Sequence, residues 1–182
     1  VELVGDFNAW QGYKNKMEKV DINGVWELFL PNIKDYQNYK YHILTAQNMW
    51  VDKIDPFSFF SVLRPKNASR TYDIYGFIWH DEKFISKRNL NLNKAMNIYE
   101  LHLGSWVKAN DRFFSYSELA EKLVEYLNNK GYTHVEILPI SEHPLDMSWG
   151  YQCSGYFSAT SRYGNPKQLM SLIDVLHQNG IG

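Results

Sequence analysis

The sequence contains one cysteine, no long apolar run and no excess of either charge, and each of these absences excludes a class of protein. Cys153 alone cannot form an internal disulfide, which favours a reducing compartment, and we expect a cytoplasmic location. No run reaches the roughly 18 apolar residues of a membrane-spanning helix, so we expect no membrane partner. A net charge of -1 gives no basic field for a phosphate backbone, so we expect no nucleic-acid partner. Neither metal-ligand spacing nor a phosphate loop is present, so we expect no metal and no cofactor.

Aromatic side chains are abundant instead, at 16% of all residues. The densest stretch is SWGYQCSGYFSATSRYGNP, residues 148–166, which holds five aromatic residues between a predicted strand and a predicted helix. Connections of this length in compact domains are usually either functional or disordered, and aromatic richness argues against disorder. The sequence therefore predicts a long loop that holds a flat ligand.

The N-terminal region, residues 1–80, consists of short alternating segments separated by turn signals. These segments are VELVGDFNAW, GVWELFLP, NYKYHILT and RTYDIYGFIW. Alternation of apolar and polar residues with regular polar breaks is typical of an antiparallel β-sandwich. Residues 81–96 are polar and lack strong periodicity, so we predict a linker there.

The C-terminal region, residues 97–182, changes from a period of two to the helical period. We predict a strand at 97–102, a helix that opens at the capping box of Ser115 and Glu118, and a buried strand at 133–140. A second helix follows at 166–178, capped by the preceding asparagine. The order strand, helix, strand, helix predicts the opening of a parallel α/β domain.

Such a βαβα segment leaves sheet edges unpaired, because two strands and two helices do not close a domain. Ile181 and Gly182 are expected to begin a third strand. We therefore expect the chain to be a fragment, with an incomplete N-terminal sandwich and a truncated α/β domain.

Three segments of the C-terminal region carry a specific resemblance: NIYELHLGSW at 97–106, YTHVEILPISEHPLDMSWGYQ at 132–152 and GYFSATSRYGNP at 155–166. They resemble the α-amylase superfamily, glycoside hydrolase family thirteen, and within it the glucan branching enzymes. Upstream, GDFNAW at 5–10 and NYKYHILTAQNMWVDKIDP at 38–56 resemble the family forty-eight carbohydrate-binding module. The resemblance implies an immunoglobulin-like β-sandwich followed by the first βαβα units of a (β/α)8 TIM barrel, whose active site lies at the carboxyl ends of its strands.

The resemblance also implies an activity in glycogen biosynthesis, with an α-glucan as the partner. Such an enzyme cleaves an α-1,4 glucan through a retaining glycosyl-enzyme and transfers the chain to a 6-hydroxyl, which forms an α-1,6 branch. In this family the catalytic carboxylates lie on later strands, so we expect no catalytic residue within this chain and no activity from it alone. A debranching or trehalose-releasing hydrolase and a noncatalytic glycan-binding module remain alternatives, and the oligomeric state is left open.

The same resemblance names candidate glucan contacts in the long loop and just before it. Tyr151 is expected to lie under the sugar at the cleavage subsite, where its ring would pack on the sugar face. Trp149 and Gln152 flank it and would either contact sugar or brace the loop. Asp146 and His143 would either contact the ligand or shape the loop by hydrogen bonds.

Other residues near this loop are expected to have supporting roles. We expect Phe157 and Tyr163 to pack in the core or within the loop. Arg162 is expected to pair with a carboxylate that this chain lacks. His102 and Trp106 are expected to support the pocket wall.

A second candidate site lies in the N-terminal region. Trp10, Lys40 and Trp50 fall on positions that, in glycogen-binding relatives of the module, supply two ring platforms and a hydroxyl donor. The alternative is that the module is a structural neighbour of the barrel and binds no glycan.

Overall fold

The computed structural model describes residues 1–88 and 93–182 of the chain, so part of the predicted linker, residues 89–92, lies outside the described residues. The strands of the N-terminal region are β1 (Glu2–Gly5), β2 (Glu18–Lys19), β3 (Trp26–Glu27), β4 (Asn38–Leu44), β5 (Trp50–Lys53), β6 (Phe60–Ser61) and β7 (Ser69–Arg70). The strands that follow are β8 (Ile98–Leu101), β9 (Lys108–Ala109), β10 (Arg112–Phe113), β11 (His134–Ile137), β12 (Ser141–Glu142) and β13 (Gly155–Ala159). The α-helices are α1 (Glu82–Lys87), α2 (Leu103–Trp106), α3 (Tyr116–Lys130) and α4 (Pro166–Gln178). Short 3-10 helices span Asp6–Asn8, Gly12–Lys14 and Asp146–Ser148.

The N-terminal region is built on antiparallel strands, as the alternating pattern predicts. Strand β4 is central and pairs antiparallel with β1, β5 and β7, and β7 pairs antiparallel with β6. Among the described residues, the other sheet of this region is the short antiparallel hairpin of β2 and β3. The antiparallel pairing is therefore confirmed, while the packing of two sheets into a sandwich stays a prediction.

The C-terminal region contains a parallel pair of strands joined through a helix. Strand β11 pairs parallel with β8, in a register that runs from His134 opposite Ile98 to Ile137 opposite Leu101. Helix α3 lies between these strands in the chain. A parallel pair needs such a crossover connection, and this arrangement confirms the predicted strand–helix–strand order.

The largest buried hydrophobic cluster lies between this strand pair and helices α3 and α4. Its fully buried members are Leu101, Leu103, Tyr116, Leu119, Ala120, Leu123, Leu127, Tyr163, Leu172, Leu176 and Ile181. Burial of Tyr163 confirms the core role expected for it. Leu101, the last residue of β8, belongs to this cluster, so the cluster fixes the carboxyl end of that strand.

Both long helices begin as their caps predict. The hydroxyl of Ser115 accepts from the backbone N–H of Glu118, whose carboxylate accepts from the Ser115 N–H in return. Asn165 caps α4 in the same way, with Pro166 in the first turn. Helix α3 ends at Gly131, which takes a positive φ of 72°, a conformation that glycine adopts at no steric cost.

Two predictions about connecting segments need correction. The stretch 148–166 is not one loop, because β13 forms inside it and pairs antiparallel with β12. The range 81–96 is more than a polar linker, because α1 forms within it and Phe84 stacks on His177 of α4 with 4.2 Å between ring centroids. In both cases contacts with another segment of the chain stabilise a short element whose local signal is weak.

Strand β13 also joins the two regions. It pairs parallel with β6 at Ala159 and Phe60, so one sheet runs from β1 through β4, β7, β6 and β13 to β12. The hydroxyls of Ser61 and Ser158 share a buried hydrogen bond of 2.9 Å at this junction. Among residues 1–88 and 93–182, no helix is both long enough and apolar enough to cross a membrane.

Candidate functional site

The candidate site lies where the two parallel strands end. His102 directly follows β8, and the segment from Ser141 to Gln152 follows β11 after a short connection. Because parallel strands point the same way, their carboxyl ends meet at one edge of the sheet, which is where α/β domains bind ligands. The structure therefore brings the predicted loop residues to the edge that the fold favours for a site.

Two exposed aromatic rings define this edge, and we call Trp149 and Tyr151 the aromatic platform. Their exposed fractions are 52% for Trp149 and 69% for Tyr151. The Trp149 ring stacks on the His102 ring, with 5.6 Å between centroids and 18° between planes. Gln152 is also exposed beside the platform.

Gly150 lets the backbone between the two rings pack closely against the strand connection. It has a φ of +91°, and a Cβ at this position would collide with the backbone carbonyl of Pro139. Glycine alone meets both conditions, since it tolerates positive φ and has no side chain to clash. Trp149 itself has a φ of 53°, which non-glycine residues seldom adopt. The tight turn thus turns both neighbouring rings towards solvent.

Asp146 begins the short 3-10 turn that leads into the platform. Its Oδ1 accepts from Nε of Arg162 at 2.7 Å, and both of its oxygens accept from Arg64, through Nε and Nη2. The hydrogen bonds from Arg64 are the main cause that lowers the pKa of Asp146, with those from Arg162 adding to it. Asp146 is therefore held between two guanidinium groups, and we call Arg64, Asp146, Arg162 and Glu142 the Asp146 clasp.

Arg162 pairs with carboxylates of this chain, which corrects the expectation that its partner lies elsewhere. Its Nη1 donates to Oε1 of Glu142 at 2.8 Å, and the two side chains are only 2% and 7% exposed. Nη2 of Arg162 is buried and has no hydrogen-bond acceptor among the described residues. Since an unsatisfied buried donor is costly, this atom marks a place where a further acceptor would be stabilising.

Glu142 accepts hydrogen bonds from a complete set of donors. Oε2 accepts from the backbone N–H and the hydroxyl of Ser161 at 2.7 and 2.8 Å. Oε1 accepts from Thr160, Arg162 and the His143 N–H. Hydrogen bonds to both oxygens satisfy this buried side chain, and the bond from Arg162 fixes the guanidinium in place.

His143 lies inside this network rather than at the surface. It is buried, and its Nδ1 donates to the carbonyl of Ser141 at 2.9 Å. This position favours the alternative role of shaping the loop over direct contact with a ligand. Asp146, with both oxygens engaged by arginine, is likewise placed as a loop-shaping residue.

His102 lies under the platform in a partly desolvated position. Burial lowers its pKa, and the electrostatic influence of His143 and Arg162 lowers it further. This environment favours the uncharged form of the ring that stacks on Trp149. Trp106 packs edge-on against Tyr126 beside the core, at 5.6 Å between centroids, and its support of the pocket wall stays a prediction.

Two features near the site are not predicted from the sequence. Arg64 reaches Asp146 from the N-terminal region across 82 positions of sequence, and no spacing rule signals such a contact. Phe157 is 59% exposed and stacks on Phe57 at 5.6 Å, so the expectation that it packs in the core or within the loop is wrong. The strand propensity of the Tyr156–Phe157 pair is the available signal for β13.

The second candidate site lies on β4 and β5. The Trp50 ring is 47% exposed and lies parallel to the His42 ring, with 4.3 Å between centroids. His42 donates from Nδ1 to Asp52 at 2.7 Å, and Lys40 donates to Asn67 at 2.8 Å. Lys40 and His42 share one face of β4, because alternate residues of a strand point the same way.

Trp10 lies at the other end of the same sheet. Its backbone N–H donates to the carbonyl of Gly5 at 2.9 Å, and its indole N–H donates to Asp6 at 3.0 Å. Asp6 in turn accepts from the backbone N–H of Asn38, two residues before Lys40. Hydrogen bonds thus link Trp10 to the start of β4, the strand that carries the other candidates.

Comparisons with known proteins identify relatives of this chain. Residues 1–58 match the family described as Carbohydrate-binding module 48 (Isoamylase N-terminal domain). The whole chain is 46% identical to the 1,4-alpha-glucan branching enzyme GlgB of Bacillus subtilis (strain 168), covering 30% of that protein. It is 47% identical to GlgB 2 of Clostridium perfringens (strain 13 / Type A), covering 28% of it. The chain thus spans less than a third of the length of the curated relatives it matches.

A solved structure shares the fold. A crystal structure from Salmonella typhimurium, described as an alpha amylase, superimposes on the whole chain with a TM-score of 0.71 and 20% sequence identity. The match covers 28% of that structure. Over the length of this chain, the two proteins therefore share the same arrangement of strands and helices.

Proposed function

We propose that this chain, which is related over its whole length to the 1,4-alpha-glucan branching enzymes, is part of an enzyme that forms α-1,6 branches in an α-glucan. The enzyme cleaves an α-1,4 bond and transfers the released chain to a 6-hydroxyl in glycogen biosynthesis. The observation that carries this proposal is the aromatic platform at the carboxyl ends of β8 and β11, in a chain about 45% identical to GlgB enzymes. A cytoplasmic location belongs to the same proposal.

We further propose that residues 97–182 form the first strand–helix units of a (β/α)8 barrel, preceded by a carbohydrate-binding module at 1–80 and a connecting segment at 81–96. The parallel pair of β8 and β11 supports this. A second support is the backbone of Gly182, whose N–H donates to Thr133 and whose carbonyl accepts from Val135. Such alternating bonds to β11 are the pattern expected of a third parallel strand, which supports the proposal.

In this proposal the residues of the chain bind and orient the glucan, and they do not carry out the bond cleavage. An aromatic plane at the cleavage subsite packs on the apolar face of a sugar ring and fixes its orientation. The carboxylate pair that a retaining mechanism needs is supplied by strands that follow in the parent enzyme. We therefore expect the 182-residue chain alone to be inactive.

The test is product analysis with the complete parent enzyme. Incubation with a linear α-1,4 glucan should create α-1,6 linkages with little new reducing sugar. A Tyr151→Ala variant should lower kcat/KM at least about tenfold, the equivalent of about 1.4 kcal/mol of transition-state binding. The matched control is Tyr156→Ala, which removes an equally exposed tyrosine from β13. A steady rise in reducing ends without new branches would instead identify a hydrolase of the superfamily.

A second candidate function is glycan binding by the N-terminal region. The exposed Trp50 ring, held flat by the His42 ring behind it, is the specific observation in its favour. Pelleting of the 182-residue chain with glycogen should weaken in Trp50→Ala and stay unchanged in Trp26→Ala, a similarly exposed indole on β3. Equal retention of both variants would leave the N-terminal region without a glycan-binding role.

A further inference from the structure

We propose that Arg64 is a positioning residue for the aromatic platform, which it holds in place through Asp146. Arg64 lies between β6 and β7 of the N-terminal region, whereas Asp146 and the platform belong to the loop after β11. The inference rests on the proposed function only in taking Trp149 and Tyr151 as sugar-binding rings. It assigns to the N-terminal region a direct part in shaping the cleft.

Asp146 is coupled to the platform by a very short stretch of backbone. The N–H of Trp149 donates to the carbonyl of Asp146 at 3.1 Å, and the N–H of Tyr151 donates to Ser148 at 3.0 Å. These bonds close the turn that carries both rings. A rotation or shift of the Asp146 carboxylate therefore moves the first residue of the turn on which the rings depend.

The clasp fixes this carboxylate from two sides, and the two sides are unequal. Arg162 is buried and held by Glu142, so it provides a fixed point within the C-terminal region. It contacts only Oδ1 of Asp146, whereas Arg64 contacts both oxygens. Among the described residues, Oδ2 has no donor other than Arg64. Without Arg64 the carboxylate keeps one bond and is free to rotate about it.

Arg64 is itself placed by the junction between the two regions. The pairing of β6 with β13 and the buried bond between Ser61 and Ser158 fix the start of its turn. The Arg64 side chain lines a cavity of about 250 Å³, together with Lys66 and His143. Since this side chain is 35% exposed, its removal leaves a hydrated space and no void in a hydrophobic core. Its effect should therefore be local.

Hydrogen exchange in the 182-residue chain tests the proposal without any glucan. In Arg64→Ala the amides of Trp149 and Tyr151 should exchange about two- to fivefold faster, the range expected for losing a partly exposed ion pair. Amides in the middle of α3 and α4 should keep their exchange rates. Lys66→Ala, which removes a neighbouring positive charge that lines the same cavity, is the matched control and should change neither set.

Two more variants separate positioning from general stabilisation. Arg64→Lys keeps the positive charge but loses the bidentate contact with Asp146. The amides of Trp149 and Tyr151 should therefore exchange at rates between those of the unmodified chain and those of Arg64→Ala. In an Asp146→Ala background, Arg64→Ala should add no further exchange at the platform. Unchanged exchange at Trp149 and Tyr151 in Arg64→Ala would overturn the proposal, and so would equal acceleration throughout α3 and α4.

The parent enzyme gives an independent readout. Arg64→Ala should raise KM for a linear glucan about two- to fivefold and leave thermal stability close to that of Lys66→Ala. If exchange responds as stated but the enzyme makes no branches, the proposed function fails and the positioning role stands. If branching is normal and exchange at the platform is unchanged in Arg64→Ala, the positioning role fails alone.

Discussion

A single methyl group at Gly150 should displace the aromatic platform. Gly150→Ala adds a Cβ where φ is +91° and where the Pro139 carbonyl already fills the space. The backbone conformation alone costs about 1–2 kcal/mol for an L-residue, and forcing an atom into a filled site costs typically about 1–3 kcal/mol more. We therefore expect a total destabilisation of about 2–5 kcal/mol.

The chain provides a matched control for the second contribution. Gly131, which ends α3, also has a positive φ, of 72°, but a Cβ there would meet nothing within 4 Å. Gly131→Ala should therefore show only the conformational cost of about 1–2 kcal/mol. Urea unfolding at equilibrium measures both values. A Gly150→Ala variant no less stable than Gly131→Ala would refute the close packing of the loop on Pro139.

Three further predictions follow from the buried network, from acidity and from the second site. Arg162→Met should cost about 3–5 kcal/mol in urea unfolding, because it leaves Glu142 charged and buried without its partner, and adding Glu142→Gln should recover part of this loss. The lowered pKa of Asp146, caused chiefly by its hydrogen bonds to Arg64, means that its stabilisation is fully present above the ordinary aspartate pKa of about 3.9 and is lost as pH falls through the lower folded value. The difference in free energy of urea unfolding between the unmodified chain and Asp146→Asn should therefore stay constant from pH 7 to pH 4 and shrink only below. His42→Ala removes the ring behind Trp50 and should weaken glycogen pelleting without lowering the free energy of unfolding by more than about 1 kcal/mol.

Local signals in the sequence were sufficient for the two long helices, α3 and α4, and for the parallel strand pair. The caps at Ser115 and Asn165 act within one turn, so their residues identify the starts of α3 and α4 directly. The change from a period of two to the helical period likewise depends on neighbours close in the chain. The strand predicted at 133–140 ends early, at Ile137, because Pro139 has no N–H for a ladder.

Contacts between distant segments could not be predicted in the same way. Strand β13 pairs both with β12 and with the edge of β6, which is almost a hundred positions away, and nothing within residues 148–166 encodes either partner. The partners of Arg162 were missed for a related reason. A buried arginine indicates that carboxylates lie near it, but the sequence around Arg162 does not show which ones. In the structure they are Glu142 and Asp146.

These distant contacts bear on what the N-terminal region is for. A module that only packs beside the barrel needs no polar contact with the loop that carries the aromatic platform. A module that only binds glycan needs exposed rings, but it needs no contacts with the C-terminal region. The structure has both an exposed Trp50 ring and an ion pair from Arg64 to the loop of the platform. The two proposed roles, glycan binding and support of the platform, are therefore compatible in this chain. We propose that the face of β4 and β5 binds a glucan chain, while the segment after β6 constrains the ring on which we propose that a sugar rests.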